Sequence, residues 1–329
     1  MRVVAAPDKL RGTASAAQVA AAVARVAERH GWTSDSVPMA DGGEGTLDAL
    51  GGPNRTTVVT GPLGDAVEAR WRLDGRTAVI EMAEASGLGL VGGADGNDPV
   101  AASTAGTGEL IVAALEAGAD RIIVGVGGSA STDGGLAALR ALHPLGRLKG
   151  VDLIVACDVR TSFIAAAEVF APQKGATPAQ VELLRRRLDR LAQVYLAEHG
   201  VDVTDLEGAG AAGGLAGGLA AAGARLVPGF ELVADEVELY DHLEGADLVI
   251  TAEGFLDAQS FEGKVVGGVA SLAAEAGVPV VAIAGEVFDE VGDRIDAVSL
   301  VDRFGAERAR TDTIACIEEA VADVLSARS

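Results

Sequence analysis

Short runs of valine and isoleucine, each closed by glycine, proline or aspartate, alternate with alanine-rich segments along most of this chain. Near the start, RVVAAP at residues 2–7 predicts a buried strand, and Ser15 predicts the cap of a helix that runs to His30. Toward the end, DLVITAE at residues 247–253 and PVVAIAG at residues 279–285 predict two strands separated by a helix. Such alternation favours a parallel sheet covered by helices on both faces.

The composition agrees with this α/β class and excludes several kinds of partner. Of the 329 residues, 49% are hydrophobic and only 3% are aromatic, which suits buried strands packed against helices of small residues. The net charge of −22 argues against nucleic acid or an anionic membrane surface as a partner, because both attract clustered lysine and arginine.

The two cysteines, the N-terminus and the apolar runs point to the cytoplasm. Two cysteines give no disulfide framework, and MRVVAAPDKL lacks the apolar core of a signal peptide. No apolar run approaches the roughly 20 residues that a membrane span requires. We therefore expect an acidic cytoplasmic protein that acts on small molecules, and the sequence leaves homo-oligomer formation open.

The middle of the chain has a different organisation from its two ends. Asp74-Gly75 is typical of a hairpin turn and joins two strands, VEARWRL and RTAVIEMA. Strands RIIVGV and DLIVACD follow, with helices between them. We therefore expect a discontinuous doubly wound domain, residues 1–60 plus 245–329, with a second α/β domain, residues 61–244, inserted into it.

Charged residues collect directly after three of the predicted strands, one of which is expected at SVPMA, residues 36–40. In chain order they are Asp8, Lys9 and Arg11, then DGGEG at residues 41–45, then Asp257 and Lys264. Ligands of an open parallel sheet bind at the carboxyl ends of its strands, so all three groups are expected at one edge. A helix cap with a glycine turn would explain each group alone, and their coincidence favours a binding site.

Glycine-rich turns at two predicted helix starts indicate phosphate binding. Successive backbone N–H groups with no Cβ in the way form an anion-binding nest. One candidate comprises Gly42, Gly43 and Gly45. The stronger candidate, VGVGGSASTDGG at residues 124–135, contains Gly127, Gly128, Ser129 and Asp133.

Carboxylates and lysines near these turns extend the same interpretation. Phosphoryl transfer uses carboxylates to hold Mg²⁺ and to accept the proton of the attacking hydroxyl, and the candidates are Asp8, Asp41, Asp133 and Asp257. The chain has four lysines against 22 arginines, and three of the four, Lys9, Lys174 and Lys264, lie in glycine- or aspartate-rich motifs. GAGAAG at residues 208–213 follows an acidic segment instead of a strand, so it does not predict a dinucleotide site.

These motifs, taken together and in order, resemble the bacterial glycerate kinase family. The resemblance runs nearly from end to end and rests on APDKLRGTASAAQVA, MADGGEGT, STAGTGELI, GVGGSASTDGG, ACDV, VFAPQKGA, GAGAAGGLAGGL and ITAEGFLDAQSFEGKVVGGVA. It implies two α/β domains, of which the discontinuous one is flavodoxin-like. It also implies transfer of the γ-phosphoryl group of ATP, with Mg²⁺, to a hydroxyl of D-glycerate, usually O2, giving 2-phosphoglycerate.

The resemblance also implies roles for the candidate residues. Asp8, Lys9, Arg11, Asp41 and Asp257 would line the cleft, with Asp41 or Asp257 as the base or the metal ligand. Nucleotide phosphate would be held by a larger set, namely Gly42, Gly43, Gly45, Gly127, Gly128, Ser129, Asp133 and Lys264.

Two departures from the family pattern leave the substrate open. Phe255 stands where the family usually has arginine, and the segment Arg160–Glu168 is shorter than usual and lacks the family's Asn-Pro turn. A kinase of another short hydroxy acid, or a non-catalytic small-molecule sensor with the same fold, therefore remains as an alternative.

Overall fold

The computed structural model describes residues 1–10, 12–288, 291 and 294–328. The chain forms two compact units. Unit 1 comprises Met1–Asp41, Asp48–Leu50 and Phe230–Ser329, and unit 2 comprises Gly42–Leu47 and Gly51–Gly229. The predicted division into folding domains, 1–60 plus 245–329 and 61–244, stays a prediction.

The strands are β1 (Arg2–Ala5), β2 (Thr33–Ser36), β3 (Arg55–Thr60), β4 (Ala66–Asp74), β5 (Thr77–Glu81), β6 (Arg121–Gly125), β7 (Asp152–Cys157), β8 (Arg225–Pro228), β9 (Leu248–Leu256), β10 (Val280–Val287) and β11 (Asp296–Ser299).

The α-helices are α1 (Ala16–Arg29), α2 (Thr46–Ala49), α3 (Ala83–Ser86), α4 (Ala105–Glu116), α5 (Leu136–Leu142), α6 (Ala166–Phe170), α7 (Pro178–His199), α8 (Leu215–Ala221), α9 (Gly229–Glu236), α10 (Leu239–Leu243), α11 (Val265–Glu275), α12 (Leu300–Phe304), α13 (Ala306–Thr311) and α14 (Thr313–Ser326). Among the described residues, none of these helices is both long enough and apolar enough to cross a membrane.

Unit 1 is built on a fully parallel five-stranded sheet. Its strand order is β2-β1-β9-β10-β11, and β1 pairs in parallel with both β2 and β9. Numbered within the unit, this order is 2-1-3-4-5, the order of flavodoxin-like folds. The predicted fold class is therefore confirmed for unit 1.

Alternate residues of these strands supply two separate cores, one on each face of the sheet. Val3 and Ile250 pack with α1 and α14, whereas Val4 and Val249 pack with α9, α10 and α11. Because side chains alternate across a strand with a period of two, consecutive apolar residues can fill both cores. The uninterrupted apolar runs of the sequence are thus a consequence of helices on both faces.

Unit 2 contains a mixed six-stranded sheet in the order β3-β4-β5-β6-β7-β8. The β3-β4 and β4-β5 pairs are antiparallel, and β5 to β8 are parallel. The hairpin predicted at Asp74-Gly75 is confirmed by the pairing of Asp74 with Thr77. The glycine- and alanine-rich helix α8 is tightly packed in this unit, since every one of its residues is buried.

The strand predicted at residues 36–40 is placed wrongly by the sequence. The strand of this region, β2, ends at Ser36, although the next residues continue alongside β1 because Val37 donates to the Ala5 carbonyl and Met39 to the Pro7 carbonyl, both through their backbone N–H groups. Two short strands, β3 and β8, were not predicted because each is mostly exposed or half-buried and lacks an apolar run.

Candidate functional site

The carboxyl ends of the unit 1 strands bring three acidic side chains close together. Asp8 follows β1, and its backbone N–H donates to the carbonyl of Ala252 in β9 at 2.9 Å. Asp41 lies two residues after Met39, which hydrogen-bonds to Pro7. Glu253 is the next residue of β9 after Ala252. The predicted meeting of Asp8 and Asp41 at this edge is therefore seen, with Glu253 as an unpredicted third member.

The surroundings of Glu253 disfavour the charged form of its carboxyl. Burial raises the pKa of its carboxyl above the ordinary value, the Ser260 hydroxyl and Lys264 lower it, and the charges of Asp8 and Asp41 raise it further. Its Oε2 atom is buried and has no hydrogen-bond partner among the described residues. A buried carboxylate oxygen without a partner is unfavourable unless a cation or a proton comes to it.

Two lysines lie beside these acids. Lys9 Nζ is 3.7 Å from Asp8 Oδ1, and Lys264 Nζ is 3.9 Å from Glu253 Oε1. Both ammonium groups are half-buried, so they keep access to an anion while being held near the carboxylates. Arg11, the third predicted cation, lies outside the described residues.

Asp257 has a structural task at the end of β9. Its Oδ1 accepts from the backbone N–H groups of Gln259 at 2.8 Å and Ser260 at 3.1 Å, which caps the 3-10 turn Ala258–Phe261. Its predicted role as base or metal ligand stays a prediction. Phe255, two residues earlier, is 56% exposed, and its ring lies 6.4 Å from that of Phe288.

In unit 2 the two predicted phosphate-binding turns pack directly on each other. A Cβ added to Gly127 would lie 2.7 Å from Gly43 Cα, and one added to Gly42 would lie 2.9 Å from the Ala156 carbonyl carbon. Real Cβ atoms do not approach other atoms so closely, and Gly42 also has φ of +90°. Glycine is therefore required at Gly127 for the two turns to meet, and at Gly42 for the first turn to pack on β7.

The second turn leaves a row of backbone donors unused. Within the described part of the chain, no oxygen accepts from the N–H groups of Gly127, Gly128 or Ser129. The carbonyl of Gly128 accepts from the backbone N–H of Leu88 at 2.7 Å, and this bond fixes the turn against the 3-10 turn Leu88–Val91. Three successive amides without an acceptor among the described residues, around a residue with positive φ, are compatible with an anion-binding nest, which stays a prediction.

A buried acid, Glu81 at the end of β5, anchors the first turn. Its Oε2 accepts from the N–H groups of Gly45 at 3.0 Å and Leu47 at 3.2 Å. Burial raises the pKa of Glu81 to about 7, those two hydrogen bonds act in the opposite direction, and the charges of Glu84 and Glu44 add to the rise. Near neutral pH, this carboxyl therefore fixes the turn while balanced between its charged and neutral forms.

A buried lysine, Lys174, anchors the second turn. Its Nζ donates to Ser129 Oγ at 2.7 Å and to the Ser131 carbonyl at 2.6 Å, and the residue is only 3% exposed. Burial lowers the pKa of Lys174 to about 7, and the charge of Asp133 opposes the fall. The GAGAAG segment passes next to this ammonium, since a Cβ on Gly213 would lie 3.0 Å from Nζ. Close packing thus accounts for the glycines of that motif.

Asp133 holds the loop to its neighbours. Its two oxygens accept from the backbone N–H and hydroxyl of Thr104 and from the backbone N–H groups of Gly135 and Ala137. These bonds join the start of α5 to the start of α4. The predicted contact of Asp133 with nucleotide stays a prediction.

Sequence reasoning missed Glu253 and Glu81 and did not assign Lys174 to the site. Glu253 and Glu81 share one signal, a carboxylate at or near the end of an apolar β-run, where the edge of a parallel sheet begins. Lys174 had a weaker signal in the scarcity of lysine, but nothing in the sequence showed that it would be buried against Ser129.

We predict that Lys174 makes the free energy of unfolding increase as the pH rises, whereas a buried acid with a raised pKa would make it decrease. Above pH 7 the folded chain releases this proton while the unfolded chain keeps it up to its ordinary pKa of 10.5, so the unfolded state binds more protons and stability rises with pH. Between pH 7 and pH 9, the unfolding free energy of the wild type should gain about 2–3 kcal/mol relative to Lys174→Met.

Denaturant unfolding at the two pH values measures this difference. The exposed Lys149 provides the control, because Lys149→Met should follow the wild type at both pH values. A wild-type minus Lys174→Met difference that does not change with pH would contradict the account of the buried ammonium.

Comparison with known proteins identifies the group to which the chain belongs. A model of the glycerate kinase family matches residues 3–145 and 143–327. The chain is 42% identical to a protein of Escherichia coli K12 named glycerate 2-kinase, over 89% of this chain and 87% of that one. It is 41% identical to a protein of Halalkalibacterium halodurans named glycerate kinase, over 87% and 85% of the two chains.

A solved structure agrees with these relatives. A crystal structure from Salmonella typhimurium LT2, provisionally assigned as glycerate kinase 2, superimposes with a TM-score of 0.83 at 36% identity and covers 99% of this chain and 98% of that one. With the two α/β units, the carboxylate edge and the amide nest already described, these matches show that the chain is an enzyme and belongs to the glycerate kinase family.

Proposed function

We propose that this protein transfers the γ-phosphoryl group of ATP to a hydroxyl of D-glycerate, most readily O2, and forms 2-phosphoglycerate. The observation that carries the phosphoryl-transfer chemistry is the row of amides at Gly127, Gly128 and Ser129, for which the described part of the chain provides no acceptor. The choice of O2 rests on the E. coli relative, which is named a glycerate 2-kinase.

The amides of unit 2 would bind the phosphate groups of the nucleotide. Backbone N–H groups at a glycine turn hold phosphate oxygens without adding a flexible side chain, so the phosphates are positioned at a small cost in entropy. Gly42, Gly43 and Gly45 in the adjoining turn would contribute to the same function. Lys174 would act through Ser129, since its ammonium fixes the turn from inside the unit.

The acids of unit 1 would hold Mg²⁺ and accept the proton of the attacking hydroxyl. No group of three or more His, Cys, Asp or Glu in the described ranges has the arrangement of a metal site. Mg²⁺ in kinases commonly takes one or two carboxylates and completes its ligands with phosphate and water, and it would neutralise charge on the phosphate oxygens. The unpartnered Oε2 of Glu253 beside Asp41 fits that requirement, with Asp257 as the other proposed ligand.

The lysines of unit 1 would bind the carboxylate of the acceptor. Lys9 lies within 4 Å of Asp8 and Lys264 within 4 Å of Glu253, and Arg11 belongs to the same proposal. Local cations are needed because the whole chain, at −22, repels an anionic substrate. A cytoplasmic location is also proposed, since ATP is the donor and Cys157 and Cys316 are both free thiols.

The test of this function is the identity of the product. Incubation with ATP, Mg²⁺ and D-glycerate should release ADP and give a phosphate monoester whose phosphorus-31 signal is coupled to one carbon-bound proton, as expected for attachment at O2. Coupling to two protons would place the phosphate on O3 and contradict the proposed product. ADP release without glycerate dependence would contradict the proposed acceptor.

One observation favours a short hydroxy acid other than D-glycerate as the phosphoryl acceptor. The exposed ring of Phe255 next to Phe288 adds apolar surface at a position where the family usually has a cation. A panel of short hydroxy acids in the same ADP assay would identify a kinase of another member of this class. A sensor would instead show ligand-induced shifts in melting temperature with no ADP release from any of them.

We predict that the acids of unit 1 are needed for turnover and not for folding. Asp41→Asn, Asp257→Asn and Glu253→Gln should each lower kcat by about 10²–10⁴, because a proton acceptor or metal ligand is lost while the shape of the side chain is kept. Glu275→Gln is the matched control, since Glu275 is an exposed residue of α11, and its kcat should stay within about twofold of wild type.

Melting curves separate this prediction from simple destabilisation. All four variants should unfold within a few degrees of the wild type. Full activity in both Asp41→Asn and Asp257→Asn would remove the proposed metal site, and full activity in Glu253→Gln would remove the third acid from it.

A further inference from the structure

Four arginines surround a groove in unit 2 that the proposed reaction does not use. Arg140 of α5 and Arg186, Arg187 and Arg190 of α7 line a cavity of about 750 Å³. This volume is within the range of about 300–1,000 Å³ that is typical of small-molecule sites. A cluster of cations is unexpected in a chain with a net charge of −22, so the groove differs in charge from most of the protein.

The interior of the groove is apolar below this charged rim. Its floor is formed by aliphatic side chains of α5 and α7, namely Leu136, Leu183, Leu188, Leu191 and Val194. Arginines at the rim of an apolar floor suit a ligand with two parts, an apolar body that covers the floor and an anionic group that faces the guanidinium groups.

The described residues around the groove offset the arginine charge only in part. Asp133 is the one carboxylate among the described lining residues, and its oxygens are engaged by Thr104 and by the amides at the start of α5. Arg186 pairs with Glu182 at 3.6 Å, Arg187 donates to the Val100 carbonyl, and Arg190 donates to the Gln193 side chain. Donor capacity for an added anion therefore remains, because each guanidinium carries five N–H groups.

An unsatisfied polar atom lies in a residue that lines the groove. Thr132 also lines the groove, is 1% exposed, and its Oγ1 has no hydrogen-bond partner among the described residues. A buried hydroxyl without a partner costs free energy, so the wall of the groove is less well satisfied internally than most of a folded protein.

We propose that this groove is a second binding site, for a small organic anion that carries a carboxylate or phosphate group on an apolar body. Its anionic group lies among Arg140, Arg187 and Arg190, and its apolar part covers the leucines of α5 and α7. Of the predicted site residues only Asp133 lines this groove, and the proposal does not depend on the proposed reaction being correct. Thr132 and Asp133 belong to the loop that also contains Gly127–Ser129, so a ligand here contacts one end of that loop.

The fluorescent probe 8-anilino-1-naphthalenesulfonate tests this site, since it joins an aromatic body to an anionic sulfonate. The wild type should bind one equivalent, also in the presence of saturating ATP and Mg²⁺. In the Arg140→Glu/Arg190→Glu double variant the Kd should rise about tenfold, because two cationic contacts from facing helices are lost and reversed.

The matched control is the Arg55→Glu/Arg147→Glu double variant. Both arginines are exposed residues of unit 2 outside the groove, and the change in net charge is the same. Its Kd should stay within about twofold of the wild type. The neutral probe N-phenyl-1-naphthylamine should bind the wild type and both variants alike.

Several results would overturn the proposal. An equal rise in the Kd of the anionic probe in both double variants would show a general charge effect. An unchanged Kd in both variants would show that the groove does not bind the probe. Displacement by ATP would place the probe in the nucleotide site. A dimer in sedimentation velocity that Arg140→Glu/Arg190→Glu alone dissociates would assign this face to a second copy of the chain.

Discussion

The close approach of two glycine turns is the constraint on which the proposed chemistry of unit 2 depends. Gly127 packs against the backbone of Gly43, and Gly42 packs against that of Ala156, at distances that exclude any side chain. Where the turns meet in this way, the amides of residues 127–129 have no acceptor among the residues that the structure describes. An incoming phosphate can therefore accept hydrogen bonds from these amides. A loop that used the same amides for internal hydrogen bonds would be more stable, but it would have no donors left for a phosphate.

Buried ionisable groups support each part of this arrangement. Glu81 fixes the first turn of unit 2 and Lys174 the second, and burial brings the pKa of each to about 7 from opposite directions. In unit 1, Glu253 is partly buried beside Asp8 and Asp41, and its pKa is also raised. Perturbed acids and bases of this kind concentrate at functional sites, because the charge that destabilises the free protein is available to a ligand.

The sequence predicted the fold better than it predicted the site. Uninterrupted apolar runs identified β1, β9 and β10, and the topology of a parallel sheet then placed Asp8 and Asp41 at one edge. The half-buried and exposed strands β3 and β8 lack such a run and were missed. Lys174 and Glu81 were not assigned because their importance comes from contacts with residues distant in the chain, Ser129 and Gly45. The local signals, scarce lysine for the first and the end of an apolar run for the second, do not show that packing.

A crystal structure of the protein with ADP tests the central claim most directly. The account predicts that oxygen atoms of the ADP phosphates lie within hydrogen-bond distance of the backbone nitrogens of Gly127, Gly128 and Ser129, with Lys174 still bonded to Ser129. ADP phosphates bound elsewhere on the chain, with these three amides left without a ligand, would contradict it.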